Sequence, residues 1–251
     1  MTTARTPSPT QRGPDLNGQT VVVLGGSSGI GLATARAARA EGADVVLVGR
    51  NAERLKRAAS EVGAVSSTAF DATDLDRVGQ FFADLPEPVD HVLVTAGGPY
   101  YAPLAEFDFD GARRSMEEHM FLPIRLAQLA PDKVRPSGSL ILLGGTGGRS
   151  ARVGGFATAA TGALPGLAAG LAVEIAPVRV NLIAAGFVDT GLSASLLGDQ
   201  LEARRDELRA TLPIGRVVVP EDVAALAVHL MANNAVTGAT YDIDGGQQLV
   251  S

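Results

Sequence analysis

The chain has 251 residues, of which 46% are hydrophobic and 19% charged, a composition that suits a packed globular domain and excludes a disordered chain. It contains no cysteine, which excludes disulfides, thiolate catalysis and cysteine-based metal sites, and its three histidines are too far apart in sequence to predict a metal site. The net charge of −6 argues against a nucleic-acid partner. We see neither a signal-like N-terminus nor an uninterrupted apolar run of ~18 residues, so we expect a cytoplasmic protein with no membrane partner.

Regular patterning follows a polar N-terminal segment. Residues 1–17 are rich in Thr, Pro, Ser and Arg without periodicity, and we expect a flexible tail there. From residue 18 onward, β-branched runs alternate with helical patterns, which predicts one doubly wound α/β domain, 18–251, with a parallel sheet of about seven strands and helices on both faces. The predicted strands are 20–26, 43–49, 65–71, 89–97, 138–145, 178–186 and 239–246. The predicted helices are 27–42, 51–63, 73–85, about 109–130, about 154–175, 201–212 and 220–233.

The turn after the first predicted strand is rich in glycine and reads GGSSGIG from Gly25 to Gly31. Gly25 allows a tight turn, and Gly29 lets backbone N–H groups approach a pyrophosphate. Gly31 lets the next helix pack closely on the sheet, and the N-terminus of that helix directs its positive end at the phosphates. The position of the motif between a strand and a helix favours a dinucleotide site over an ordinary glycine-rich turn.

The GxxxGxG spacing of this turn resembles that of the short-chain dehydrogenase/reductase family, and four later segments resemble the family in the same order. They are Asp71, the turn Thr95-Ala96-Gly97, residues 178–190 and the closing YDIDGG at 241–246. The resemblance covers 18–251 and implies a nicotinamide dinucleotide, with Asp71 on the adenine amino group and 178–190 on the carboxamide, where Asp189 and Thr190 would orient it.

The end of the second strand predicts which dinucleotide is bound. An acid there would take the hydroxyls of the adenosine ribose, but this chain has Val48-Gly49-Arg50-Asn51. The planar cation of Arg50 can cover a 2′-phosphate, and Gly49 leaves room for it, so we expect NADP(H) in preference to NAD(H). The alternative is a solvated arginine before a helix. The predicted cofactor-binding residues are therefore Gly25, Ser27, Ser28, Gly29, Ile30, Gly31, Arg50, Asn51, Asp71, Ala72, Ala96, Gly97, Gly98, Gly186, Val188 and Thr190.

The resemblance also implies where catalytic residues belong. Members of the family carry a serine after the fifth strand and a Tyr-x-x-x-Lys on the following helix, with the tyrosine as general acid/base. In this chain the serine position falls on Gly145, the tyrosine position on Ala157 and the lysine position on Thr161. His119 stands where the family often has a structural asparagine. The resemblance therefore implies an atypical member that lacks the usual proton-transfer groups.

Three residues are the remaining catalytic candidates: His119, Tyr101 and Thr146. An imidazole exchanges protons near neutral pH, although His119 is equally suited to a structural hydrogen-bonding role. Tyr101 and its neighbour Tyr100 follow the fourth strand, where ligands of open α/β sheets bind, and they could instead line a pocket or a subunit contact. Thr146 and two threonines of the following helix can bond a substrate or ribose, but their hydroxyls are too weakly acidic to replace a tyrosine.

Two later segments predict a lid and an interface. Residues 189–213 correspond, by the resemblance, to the substrate lid, although the charges of helix 201–212 are also typical of a solvated face. Helix 154–175 is apolar around its circumference, which predicts burial against its own sheet and against a second subunit. We therefore expect a homo-oligomer, either a dimer or a tetramer.

The sequence leaves three functions open. The first is an atypical NADP(H)-dependent oxidoreductase acting on a carbonyl or activated double bond of an unidentified small molecule. The second is a catalytically impaired NADP(H)-binding pseudoenzyme, either a redox sensor or a scaffold, and the third is a non-redox lyase or isomerase that uses the same cleft. The dinucleotide frame argues against the third, and the missing acid/base groups favour the second. The lid-like segment makes the oxidoreductase our leading prediction.

Overall fold

The computed structural model describes residues 15–150 and 153–250. Seven strands form one parallel sheet in the order β3-β2-β1-β4-β5-β6-β7, so the predicted doubly wound α/β domain is confirmed. The order reverses between β1 and β4, and ligands of open α/β sheets bind at the carboxyl edge beside such a reversal. The strands are β1 (Thr20–Leu24), β2 (Asp44–Gly49), β3 (Ser66–Ala69), β4 (Val89–Val94), β5 (Val134–Gly145), β6 (Arg179–Ala185) and β7 (Thr240–Ile243).

The helices begin largely where the sequence predicts. Asn51 caps one helix by accepting a hydrogen bond from Arg54 N at 2.8 Å, and Asp74 caps the next through Arg77 N at 2.9 Å. The predicted helix near 109–130 is interrupted by a π-helical turn, Glu117–Phe121. The helices are α1 (Gly29–Ala40), α2 (Ala52–Val62), α3 (Leu75–Asp84), α4 (Phe109–Met116), α5 (Leu122–Lys133), α6 (Gly155–Glu174), α7 (Gly191–Leu197), α8 (Leu201–Thr211), α9 (Pro220–Ala232) and α10 (Gln247–Val250).

The sheet separates two apolar layers because successive strand residues point to opposite faces. On one face Val22 and Leu24 of β1 share a buried cluster with residues of α3, α5 and α6. On the other, Val21 and Val23 share a cluster with residues of α1, α2 and α9. Both faces are therefore covered, and the functional side chains are left to the turns at the carboxyl edge.

The domain begins before the predicted boundary at residue 18. Leu16 is fully buried beside β1, and its N–H donates to the Glu41 carbonyl at 2.9 Å. Leu16 therefore packs with the domain, because its apolar side chain is buried in the layer between β1 and α1. The rest of that prediction, residues 1–14, lies outside the described residues.

Helix α6 has the length and apolar composition of a membrane-spanning helix, and it is the one such helix in the described part of the chain. This is weak evidence for a membrane, since core helices of soluble proteins have the same properties. One face of α6 packs on the sheet through Leu164, Ala168 and Leu171. The opposite face is open within one chain, so its predicted burial against a second subunit stays a prediction; its exposed residues are Ala159, Gly162, Ala163, Gly166, Ala169, Gly170 and Val173.

A buried histidine lies in the middle of the sheet, away from the carboxyl edge. His91 on β4 is 2% exposed, its Nε2 lies 2.6 Å from Gln19 Oε1, and its Nδ1 lies 2.9 Å from Ser139 Oγ. This arrangement suits a neutral ring that donates to the glutamine and accepts from the serine. Desolvation, and then the positive charge of Arg179, lower the pKa of His91 to about 3.

We expect His91 to make the protein sensitive to acid. An unfolded histidine with a pKa of ~6.5 takes up a proton below that pH, whereas native His91 stays neutral down to a pH of about 3. The free energy of unfolding should therefore fall between these values, by roughly 2–3 kcal/mol at pH 4.5. Urea unfolding at pH 7.5 and 4.5 checks this: His91→Gln should lose this part of the pH dependence, and the exposed control His229→Gln should keep it. Equal pH dependence in all three proteins would contradict the assignment.

Candidate functional site

The predicted cofactor-binding residues lie in the turns after β1 to β4 and after β6. Because the strands are parallel, these turns share one edge of the sheet. The set comprises Gly25, Ser27, Ser28, Gly29, Ile30 and Gly31 after β1, Arg50 and Asn51 after β2, Asp71 and Ala72 after β3, Ala96, Gly97 and Gly98 after β4, and Gly186, Val188 and Thr190 after β6. Their role toward a cofactor stays a prediction.

The turn after β1 packs directly on the turn after β4. Gly25 has φ +97°, and a Cβ there would lie 2.5 Å from Thr95 Oγ1 and 2.8 Å from Ala96 N. A Cβ at Gly31 would lie 2.6 Å from the same hydroxyl, which itself donates to the Leu24 carbonyl at 3.1 Å. Glycine is therefore required at both positions. The close packing brings the start of α1 to the carboxyl edge beside β4.

The first turn of α1 is suited to an anion. It contains no acidic residue, and Ser28 at the N-cap makes no capping hydrogen bond through its side chain. The first backbone N–H groups of a helix have no partners within the helix and lie at the positive end of its dipole. A cleft of about 480 Å³ runs between this end of α1 and the segment after β6, with Gly29, Leu32, Asp189, Thr190, Gly191 and Arg205 in its lining. The chemistry of the turn fits a pyrophosphate.

The end of β2 carries an exposed arginine. Arg50 forms no ion pair within the described ranges, 15–150 and 153–250, so its guanidinium is available to a ligand. The Ser27 side chain lies beside Gly49, since a Cβ at Gly49 would lie 3.1 Å from Ser27 Oγ. The room for a phosphate predicted at Gly49 stays a prediction. Asn51 uses its amide oxygen to cap α2.

Asp71 is already engaged by protein groups. Its Oδ1 accepts hydrogen bonds from Thr73 N at 3.1 Å and Thr73 Oγ1 at 3.0 Å, and its Oδ2 accepts one from Arg114 Nη2 at 2.8 Å. Desolvation acts to raise the pKa of Asp71, but the hydrogen bonds from Arg114 and Thr73 outweigh it and hold the pKa below its usual range. The carboxylate is therefore ionised at neutral pH and paired with a cation.

Arg114 also pairs with Glu118, which contacts the turn after β4. Its Nε lies 3.3 Å from Glu118 Oε1, and the Glu118 side chain is only 11% exposed. Glu118 Oε2 accepts a hydrogen bond from Gly98 N at 3.2 Å, and a Cβ at Gly97 would lie 2.9 Å from Glu118 Cβ. Sequence reasoning missed Arg114 and Glu118. Their i,i+4 spacing on a predicted helix is the signal that could have found the pair.

The catalytic candidate His119 lies in the π-helical turn, which packs against α6. Its half-buried ring donates from Nδ1 to the Ser115 carbonyl at 2.9 Å, which leaves Nε2 as the nitrogen for proton exchange. π-Helical turns inside helices are frequent at functional sites. Thr146 begins a short 3₁₀ turn directly after β5, on the same edge of the sheet.

The two tyrosines after β4 differ in their surroundings. Tyr100 accepts a hydrogen bond from Asp108 N at 2.6 Å, and its ring packs edge-on against Phe107 and Phe156 with centroid distances of 5.5 and 5.6 Å. Tyr101 is 55% exposed, and desolvation of its hydroxyl raises the pKa of the phenol. Tyr100 is therefore suited to a structural role, and Tyr101 is a weaker acid than a free tyrosine.

The segment after β6 is held by the lid and by the C-terminal residues. Asp189 pairs with Arg205 of α8 at 2.6 Å, and Thr190 caps α7 by accepting from Ser193 N at 3.2 Å. Phe187 N donates to Gln247 Oε1 at 2.9 Å. The carboxylate of Asp189 is thus committed to the lid, which weakens its predicted role of orienting a cofactor amide.

The predicted lid, 189–213, consists mainly of α7 and α8. Leu192 of α7 lies against the turn after β4, within 3.7 Å of where a Cβ on Gly98 would stand. Many charges of α8 pair on its exposed face, as the sequence suggested: Arg204 with Glu207 and Arg209 with Asp206. The predicted lid therefore reaches from the end of β6 to the turn after β4, past the end of β5.

A family model described as "Enoyl-(Acyl carrier protein) reductase" matches residues 25–248, which is most of the chain. This chain belongs to the short-chain dehydrogenase/reductase family. It is 29% identical to the short-chain dehydrogenase/reductase malC of Malbranchea aurantiaca, over 96% of this chain and 99% of that one. It is 33% identical to a galactitol 2-dehydrogenase (L-tagatose-forming) of Cereibacter sphaeroides, over 92% and 95%.

Two solved structures have the same fold. The MalC Reductase/Diels-Alderase of Malbranchea aurantiaca superposes with a TM-score of 0.85 at 28% identity, covering 93% of this chain and 98% of that one. BdcA in complex with NADPH superposes with a TM-score of 0.81 at 30% identity, covering 92% and 94%. The chain is thus similar along most of its length to an oxidoreductase family that binds nicotinamide cofactors.

The short-chain dehydrogenase/reductase positions singled out by sequence lie close together. Gly145 ends β5, Ala157 and Thr161 lie in the first turns of α6, and a Cβ on Gly145 would stand 3.8 Å from Thr161 Cγ2. Thr161 Oγ1 donates to the Ala157 carbonyl at 2.7 Å, so its proton is already used within the helix. The small side chains leave a cavity of about 180 Å³ lined by Gly145, Gly148, Arg149, Thr161, Gly162, Pro165, Leu182 and Ala184.

The turn after β5, which lines this cavity, contacts β7 and α10. Arg149 pairs with Asp242 of β7 and donates to Gln248 Oε1 at 2.9 Å. Thr158 Oγ1 donates to the Ser150 carbonyl at 2.9 Å. Thr158 is one of the threonines predicted to bond a substrate or ribose, and its hydroxyl proton is already used in this hydrogen bond. In the part of the chain that the structure describes, no cluster of three or more His, Cys, Asp or Glu side chains could hold a metal ion.

Proposed function

We propose that this protein is an atypical NADP(H)-dependent oxidoreductase that transfers hydride between nicotinamide and a carbonyl or activated double bond of a small molecule. One observation carries the proposal: the turns after β1, β2 and β4 are suited to a phosphorylated dinucleotide. By the family resemblance, Gly145, Ala157 and Thr161 would stand at the usual catalytic positions. Relatives named as a reductase and a dehydrogenase support the reaction class. We also propose a cytoplasmic location.

NADPH, when bound, would supply the hydride. The backbone N–H groups of residues 25–31 and the start of α1 would hold the pyrophosphate, and Arg50 with Ser27 would bind the 2′-phosphate. Residues 186–190 would orient the nicotinamide. His119 Nε2 is the group that exchanges the proton, because its Nδ1 is held by the Ser115 carbonyl.

A binding protein is the second candidate. Ala157 and Thr161 cannot exchange protons, which favours a pseudoenzyme that senses or carries a dinucleotide. One relative, 30% identical over 91% of this chain and 96% of its own length, is named a cyclic-di-GMP-binding biofilm dispersal mediator protein of Escherichia coli. Calorimetric titration with NADPH, followed by a panel of carbonyls and enones at the nicotinamide absorbance, separates the two. Turnover supports the oxidoreductase, tight binding without turnover supports the pseudoenzyme, and no binding contradicts both.

NADPH is expected to bind at least about tenfold tighter than NADH, since a charged hydrogen bond to a phosphate contributes ~1.5–3 kcal/mol. Calorimetry on the parent protein and on Arg50→Ala checks this. The variant should lose most of the preference while NADH affinity stays unchanged. Arg54→Ala, on the exposed side of α2, is the matched control and should keep the preference. Equal affinities of the parent for both dinucleotides would contradict the assignment.

We propose that the protein is a homo-oligomer, a dimer or a tetramer, in which a second copy covers the open face of α6. Val173 on this face is 80% exposed. Phe121, in the π-helical turn that packs against α6, is 50% exposed, and Phe109, at the start of α4, is 68% exposed. The small residues of the open face of α6 allow two helices to approach closely.

We expect Gly166→Arg to convert the oligomer to a monomer. A Cβ on Gly166 meets nothing within 4 Å in one chain, so the substitution leaves the isolated fold intact and disturbs only what covers it. Light scattering at micromolar concentration measures the mass, with Glu87→Arg in an exposed loop as the control. A monomeric parent protein would contradict the proposal.

A further inference from the structure

A chain of polar contacts crosses the carboxyl edge from β3 to β4. It starts at Asp71 after β3, passes through the guanidinium of Arg114 on α4, and reaches the Gly98 N–H after β4 through the nearly buried Glu118. Two successive turns of the edge are therefore joined by side chains of one helix. No part of the mechanism above uses Arg114.

The edge that this chain crosses is where the base of a bound dinucleotide would lie. In doubly wound folds the pyrophosphate binds at the turn after β1 and the adjacent ribose at the end of β2. The base extends from that ribose away from the pyrophosphate, and β3 is the neighbour of β2 on that side of the sheet. Asp71 follows β3 directly, so Arg114 and Asp71 both lie at the edge of the base.

The hydrogen-bonding capacity of Asp71 is largely taken. An ionised carboxylate offers about four acceptor positions. Thr73 takes two of them on Oδ1, and Arg114 takes one on Oδ2 at 2.8 Å. One position remains on Oδ2, and the positive charge of Arg114 offsets the negative charge that would strengthen a hydrogen bond from an amino group.

We propose that Arg114 determines which purine this site recognises. By pairing with Asp71 it removes the preference for a base that carries an amino group at C6, and its own N–H groups can donate to a base that carries a carbonyl there. The site therefore accepts hypoxanthine about as well as adenine. The inference rests on the proposed binding of a phosphorylated dinucleotide.

The test compares two probes, NADPH and reduced nicotinamide hypoxanthine dinucleotide phosphate, which differ at C6 of the purine. Calorimetry gives the ratio of their dissociation constants for the parent protein, Arg114→Gln and the control Arg113→Gln. Arg113 lies next to Arg114 on α4 but pairs outward with Asp110, and its side chain is 69% exposed. We expect a ratio within about threefold of one for the parent and for the control.

In Arg114→Gln, Oδ2 of Asp71 no longer pairs with a guanidinium and can accept a stronger, charge-assisted hydrogen bond from the adenine amino group. The variant should therefore bind NADPH about tenfold or more tighter than the hypoxanthine probe. If the orphaned Glu118 carboxylate unfolds that variant, Arg114→Gln/Glu118→Gln removes it and should show the same shift. A parent that prefers adenine tenfold, or variants whose ratio equals that of the parent, would overturn this inference while leaving the proposed function intact. Failure of both probes to bind the parent would overturn the two together.

Discussion

Reduction of ordinary ketones by this protein is expected to be roughly 10²–10⁴ times slower than with a positioned general acid, because that is what such an acid contributes. The first turns of α6 present Ala157 and Thr161, and the Thr161 hydroxyl is bonded to the Ala157 carbonyl. Gly145 has no side chain to polarise a substrate oxygen. Orientation of hydride donor and acceptor would remain, and it supplies a large part of such a barrier.

The residual rate should depend on His119. If the imidazole supplies the proton through Nε2, His119→Gln lowers the rate, because an amide cannot exchange protons in its place. His229→Gln, at an exposed position on α9, is the matched control and should behave as the parent does. Tyr101→Phe should change the rate little, because desolvation raises the pKa of this phenol. Fast ketone reduction unaffected by His119→Gln and Tyr101→Phe would show that the site lies elsewhere.

The glycine turn carries the other large expected effect: Gly25→Ala should weaken NADPH binding by roughly 100-fold or more. The residue has φ +97°, which costs a side chain strain energy, and its Cβ would stand 2.8 Å from a backbone nitrogen that cannot move aside as a side chain can. Relief of that contact displaces the turn after β4 and the start of α1 together, which removes the aligned N–H groups.

Calorimetry measures this loss, with thermal unfolding alongside to establish that the variant is folded. Gly63→Ala is the control, since Gly63 also has a positive φ, +68°, but a Cβ there meets nothing within 4 Å. NADPH affinity in Gly25→Ala equal to that of the parent would refute the assignment of this turn.

The sequence by itself determined the order of strands and helices, the glycine turn and the helix caps at Asn51 and Asp74. Each of these depends on residues that are neighbours along the chain. Burial repeats with the period of a strand or helix, and a cap bonds an N–H three residues on. The topology followed because parallel strands joined by helices have few alternative arrangements.

The same reasoning predicted where the cofactor-binding turns lie, since every parallel strand delivers the turn after it to one edge. It could not predict which side chains in those turns are free. The sequence predicts that the Asp71 carboxylate binds the cofactor. In the structure this carboxylate accepts a hydrogen bond from Arg114, which lies 43 residues away in sequence. Likewise the Ser27 side chain of the neighbouring turn lies beside Gly49, which the local pattern did not indicate.

Only the tertiary structure decided these contacts, and it also decided that Leu16 belongs to the core and that a π-helical turn carries His119. Ion pairs such as Asp71 with Arg114, and packing such as that of Leu16 beside β1, join segments that are distant in sequence. Their free energy depends on distances of a few ångströms, which are set when helices pack on the sheet and which no local pattern of residue types encodes.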